Sequence, residues 1–179
     1  MEIIVKSRGA LPEIAGLGAP LALVSISDFP DDFPEVPTCD CRAVLRLSFE
    51  DVEGDFDFFE DKPAARPFTA HQARQVAAFV RGLPAGVRTL VFQCEAGVSR
   101  SPAMAAAVSR FLGMDDLCFF RLHMPNRLVY RLVLEQITPL WDRASGDAAC
   151  VCGKLFRAHP QHPAFPDLTA LCDGRNVKL

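Results

Sequence analysis

Residues 91–102 read VFQCEAGVSRSP. An apolar run ends at Gln93, and a cysteine, a glycine, two serines, an arginine and a proline follow at once. A strand, a glycine-containing loop and a helix in that order make a ready site for an anion. The loop amides turn inward and the helix N-terminus adds positive potential. Arg100 can grip two oxygens of a tetrahedral anion with its forked guanidinium. The amides of Glu95, Ala96, Gly97, Val98, Ser99 and Arg100 would wrap the same anion. Cys94 opens the loop, so it reads as an exposed thiol at the floor of the cradle. Donors that hold an oxyanion also stabilise a thiolate, and a thiolate under a bound phosphoryl group is a nucleophile. The arginine would hold the charge that develops above it. Ser101 next to it reads as a helix cap.

CEAGVSRS resembles the Cys-x5-Arg-Ser/Thr signature of the cysteine-dependent protein tyrosine phosphatases, in particular their compact dual-specificity-like branch and its small bacterial relatives. LRLSFEDVE, residues 45–53, resembles the strand and acid loop of that branch, and HMPNRLVYRL, residues 123–132, its C-terminal Pro-Asn helix. The likeness runs over roughly residues 20–140. It implies hydrolysis of a phosphomonoester through a phosphocysteine, without cofactor or metal. It also implies that Ser101 helps the sulfur leave in the second step, and that Asn126 supports the loop or the attacking water. One position departs from the pattern: the family has a histidine before the cysteine, and here Gln93 stands there. Glutamine can hydrogen-bond but cannot carry a proton.

Expelling a phenolate needs a proton donor. The acidic stretch after residue 49 offers Glu50, Asp51, Glu53, Asp55, Asp57, Glu60 and Asp61. Asp51 is favoured because it lies just beyond a strand end, within reach of a neighbouring strand's loop, and the resemblance puts the family's aspartate there. Asp55 and Asp57 stay open. Asn126, after Pro125, reads either as a helix cap or as the loop-supporting residue. His123 reads as structural.

The elements that must hold these residues follow from the apolar periodicity. LALVSIS (21–27), AVLRLSF (43–49) and VRTLVFQ (87–93) read as buried strands, with EIIV near the N-terminus as a fourth. TAHQARQVAAFVRGL reads as a helix, with Thr69 and Gln72 at capping-box spacing and Gly82 as its stop. SPAMAAAVSRFLG, DDLCFFRL and PNRLVYRLVLEQI read as three more. Alternating strands and helices predict an α/β domain: a central, mostly parallel sheet of four to five strands flanked by helices, with the Cys-x5-Arg loop between a strand and a helix. The phosphatase domain is expected over residues 1–145. Residues 146–179 form a C-terminal extension rich in Cys, His and Pro, packed on the domain.

At 179 residues and a net charge of −3 there is no basic signature of nucleic-acid binding. No run of apolar residues is long enough for a membrane span. The N-terminus lacks the pattern of a secretory signal, so the cytoplasm is the expected compartment. The odd count of seven cysteines argues against a disulfide framework there. Cys39 with Cys41, and Cys150 with Cys152, raise structural zinc, but the usual Cys-x2-Cys spacing is absent. Cys118 reads as core.

The expected partner is a phosphorylated protein or peptide, with phosphotyrosine first and phosphoserine or phosphothreonine if the pocket is shallow. The loop carries no lysine, which weighs against highly anionic phosphoinositides. Two rivals are a phosphate-binding pseudophosphatase without turnover, suggested by Gln93, and sulfur or arsenate chemistry on a similar loop.

Overall fold

A computed structural model describes residues 1–53 and 65–138. The proposed extension at 146–179 lies outside the described residues, as do Asp55, Asp57, Glu60 and Asp61.

Among the described residues the strands are β1 (Glu2–Ser7), β2 (Leu21–Ser27), β3 (Cys41–Ser48) and β4 (Thr89–Cys94). They form one four-stranded sheet in the order β1-β4-β2-β3, with every pairing parallel. The two central strands, β2 and β4, are buried at every residue. That is why LALVSIS and TLVFQC read as continuous apolar runs rather than alternating ones. β3, at one edge, alternates between exposed and half-buried positions along most of its length.

The helices are α1 (Ala70–Arg81), α2 (Arg100–Phe111), α3 (Leu117–Leu122) and α4 (Arg127–Ile137). α1 starts at a complete capping box: Thr69 Oγ1 accepts from Gln72 N–H, and Gln72 Oε1 accepts from Thr69 N–H at 3.0 Å. One sheet face, carrying Ala22, Val24, Ile26, Leu90 and Phe92, joins α1, α2 and α4 in the main core. The residues between these point the other way. Leu21, Leu23 and Val91 pack under a 3-10 turn at Leu11–Leu17 through Leu11 and Ile14. The sequence gives no helical periodicity there, so this cover was not foreseen.

α2 is buried at ten of its twelve residues, and alanines at 103 and 105–107 are what let it lie so deep. Cys118 departs from the expectation of a core thiol. α3 has no fully buried residue, and Cys118 is half-buried beside Asp115.

All four strands run the same way, so their C-terminal ends share one edge of the sheet. Ser7 pairs with Cys94, Ser25 with Gln93, and Ser27 with Ser48. Residues just past four separate stretches of sequence therefore meet in one place.

Candidate active site

Cys94 is the last residue of β4, and Arg100 is the first of α2. The five residues between them make a tight loop, and three of its carbonyls are bonded to other segments. Glu95 O accepts from Arg8 N–H at 3.0 Å, Val98 O from Met124 N–H at 3.1 Å, and Ser99 O from Asn126 N–H at 3.2 Å. Arg8 also closes the loop's start from its side chain, pairing with Glu95 at 2.6 Å and with Asp32 at 3.0 Å.

Gly97 has φ +70°, a left-handed conformation that side-chain-bearing residues resist. A Cβ there would also lie 2.9 Å from Ser7 N. Both conditions demand glycine: the loop folds back onto the end of β1 with no room for a methyl group.

Cys94 is 2 % exposed, so the thiol is not the exposed one its loop position suggests. Its sulfur lies 3.0 Å from Ser101 Oγ, itself buried. Ser101 is therefore not the α2 cap; that position falls to Ser99, whose side chain makes no capping bond. The other described thiols are held protonated. Burial first and Asp40 second push Cys39 up, burial first and Cys39 second push Cys41 up, and burial first and Asp115 second push Cys118 up. Among the described residues no group of three or more His, Cys, Asp or Glu is arranged to hold a metal ion.

Arg100 is almost wholly buried beside the sulfur-bearing loop. Its Nη1 donates to Phe49 O at 2.9 Å and to an Asp28 carboxylate oxygen. Its Nε is buried without a hydrogen-bond partner among the described residues. Asp28 follows the end of β2 and was not singled out from the sequence. The only sequence signal for it was an acid immediately after a strand end, the same signal that favoured Asp51.

Asp51 sits just past β3 and is bound from two sides at one oxygen. Ser99 Oγ and Asn126 Nδ2 both donate to Oδ1 at 2.8 Å. The structure thus brings Asp51, a loop serine and Asn126 together. Asn126 fills both roles considered for it: its Oδ1 accepts from Val129 N–H at 3.0 Å, capping α4, while its amide nitrogen holds Asp51. Two other acids of that stretch are engaged elsewhere. Glu50 accepts from Arg66 N–H at 2.7 Å, and Glu53 from Arg127 N–H at 2.8 Å. His123 closes α3 through its backbone.

Gln93 is fully buried in β4. Its Oε1 accepts from Ser25 Oγ at 2.7 Å across the sheet, and its Nε2 has no partner among the described residues.

No family model matches the chain, and no curated protein does. Solved structures do. The human tyrosine phosphatase-like serine/threonine/tyrosine-interacting protein superposes with a TM-score of 0.51 at 18% identity, covering 74% of this chain and 89% of that one. The fold is that of a tyrosine phosphatase-like protein. Human DUSP28 also matches, at 22% identity and TM-score 0.45, over 75% of this chain and 90% of that one. In this tyrosine phosphatase-like fold the Cys94–Arg100 loop lies between the central strand β4 and the buried helix α2. Among the described residues no helix is long and apolar enough to cross a membrane.

Proposed function

We propose that the chain is a cysteine-dependent protein phosphatase that hydrolyses phosphotyrosine, with phosphoserine and phosphothreonine as secondary substrates, in the cytoplasm. The observation that carries this reading is the pairing of Cys94 with Ser101 under a loop whose other end is Arg100. The fold supports it, because it is the one such loops are built on.

In the proposed reaction the Cys94 sulfur attacks phosphorus in line, and the bond to the tyrosyl oxygen breaks. Asp51 gives that oxygen its proton. Ser99 and Asn126 both donate to Oδ1, so the transferable proton belongs on Oδ2. The phosphoryl group, now on sulfur, is held by the amides of residues 95–100 and by the guanidinium. Asp51, now a carboxylate, takes a proton from water as the water oxygen attacks phosphorus. The sulfur leaves as a thiolate, and the Ser101 hydroxyl donates to it. Splitting one displacement into two is the benefit of the covalent route. Asn126 holds Asp51 in place and so acts as a positioning residue.

The test is turnover of phosphotyrosyl peptides by the full chain and by Cys94→Ser. The wild type should release phosphate and Cys94→Ser should not, while still binding phosphate. A Cys94→Ser protein that turns over at the wild-type rate would refute the covalent scheme.

A second reading has its own observation. Gln93 stands where the resemblance leads one to expect histidine, and its Nε2 has no partner among the described residues. A protein so altered could bind phosphopeptide without turning it over, and the similar human structure is described as an interacting protein. In that case wild type and Cys94→Ser would bind phosphopeptide alike, neither would release phosphate, and Gln93→His would be the variant to gain turnover.

A further inference from the structure

We propose that Arg8 is a positioning residue that pins the start of the Cys94–Arg100 loop through Glu95; this rests on the anion-cradle reading given above. Arg8 directly follows β1, and it meets Glu95, the residue after Cys94, at two points. Its backbone N–H donates to Glu95 O at 3.0 Å, and its side-chain Nε donates to Glu95 Oε2 at 2.6 Å. In a trans peptide the C=O and the following N–H point in opposite directions. Holding Glu95 O therefore also sets the direction of Ala96 N–H, one of the donors assigned to the cradle. In that reading the loop amides converge on one point and repel one another until an anion arrives, so the empty loop needs restraint from outside. The crowding of Gly97 against Ser7 N is one restraint, and Arg8, the next residue along, supplies a second.

The guanidinium is anchored independently of the loop. Nη1 donates to Asp32 Oδ1 at 3.1 Å and Nη2 to Asp32 Oδ2 at 3.0 Å, a two-pronged grip on one carboxylate. Nη2 also reaches Asp32 O at 2.6 Å and Ser27 Oγ at 3.4 Å. Ser27, the last residue of β2, is buried and itself donates to Asp32 O at 2.7 Å. Every guanidinium nitrogen is thus engaged, and the Glu95 carboxylate has Arg8 as its only hydrogen-bond partner among the described residues. An isolated ion pair at Glu95, whose side chain is 56% exposed, would contribute little. This one carries more weight because the arginine is only 26% exposed and joins the loop to the ends of β1 and β2 together. A lysine has the charge but not the fork, so it could not hold Glu95 and Asp32 in this way.

The experiment measures inorganic phosphate binding to the full chain by calorimetry, with thermal unfolding alongside. The variants are Arg8→Gln and Arg8→Lys, each made in the wild type and in Glu95→Ala. Pinning predicts that either Arg8 substitution weakens phosphate about tenfold in the wild type. With the Glu95 carboxylate already gone, the same substitution should change phosphate affinity by no more than about twofold. A loss of equal size in both backgrounds, or no loss in either, overturns the inference whatever the unfolding temperature does, because Arg8 would then not act through Glu95. An Arg8→Lys protein that binds phosphate as tightly as wild type overturns it too, by showing that charge suffices without the fork. Should Arg8→Gln fail to fold, Arg8→Lys decides by the same comparison of backgrounds. Wild-type protein that binds no phosphate overturns the cradle, and this proposal with it.

Discussion

Ser101 Oγ and Cys94 Sγ, both buried, lie 3.0 Å apart at the start of α2. The hydroxyl reaches the sulfur from the second residue of the helix. It is therefore available to the sulfur in every state of the site, and most valuable when the sulfur carries charge as a leaving group.

In the proposed reaction, removing that hydroxyl should slow the second step more than the first. Hydrogen bonds to charged groups are worth about 1.5–3 kcal/mol, so Ser101→Ala should slow phosphocysteine hydrolysis on the order of ten- to a hundredfold. Rapid-mixing kinetics with an aryl phosphate should then show a burst of phenol followed by slow turnover. Equal slowing of both phases would show that the hydroxyl acts elsewhere.

Asn126 serves helix and acid together, and two substitutions separate the roles. Asn126→Ala should lose about 1 kcal/mol of stability through the lost cap, along with activity on poor leaving groups. Asn126→Asp keeps a capping oxygen for Val129 N–H but replaces the donor to Asp51 with a like charge. It should unfold near the wild-type temperature yet lose activity. An Asn126→Asp protein of full activity would remove Asn126 from the positioning of Asp51.

Gly97→Ala must adopt a left-handed backbone and push Ser7 away. The conformation alone costs on the order of 1–2 kcal/mol, and the contact adds to it. A lower unfolding temperature together with weaker phosphate binding is expected. Wild-type behaviour in both measurements would mean that the loop can refold around a methyl group.

Tyr130 gives a pH dependence that can be read without interference, because it is the one tyrosine in the chain. Its hydroxyl donates to Asp116 Oδ2 at 2.7 Å, and Asp116 also faces Arg110 at 3.6 Å. Burial first, and the Asp116 charge second, push its ionisation far above that of a free phenol. A group raised in the folded state lends stability that is complete below its unfolded value, about 10, and declines as pH rises beyond it. Tyrosinate absorbance should therefore appear only together with unfolding. Tyr130→Phe should cost about 1 kcal/mol at neutral pH and weaken the alkaline loss of stability. Tyrosinate forming while the fold is intact would show that the hydroxyl is open to water.

Much of this arrangement was legible in the sequence because it is local. Apolar runs gave the strands, Thr69 and Gln72 gave the start of α1, and the spacing from Cys94 to Arg100 gave the loop. Asp51 and Asn126 were named from the sequence, and each lies at an element boundary where a side chain is free to reach. What was missed depends on which strands are neighbours. Asp28 meets Arg100 only because β2 lies between β4 and β3, and no local pattern encodes that order. The same holds for the crowding of Gly97 against Ser7, which requires β1 beside β4. The turn at Leu11–Leu17 was invisible because it is too short to show a period, and Cys118 was misjudged because the apolar residues of α3 are only partly covered.

The order of the strands has a consequence for how the molecule comes into being. β1 precedes the other strands of the sheet in the sequence, yet its neighbour is β4, the last of them. Its Ile3, Ile4 and Val5 must wait, unsheltered, through the synthesis of everything in between. Contacts so distant along the chain close late and slowly, and until then the strand is free to join another nascent chain. The Cys94–Arg100 loop, which packs on Ser7 at Gly97, is accordingly among the last parts of the molecule to take shape.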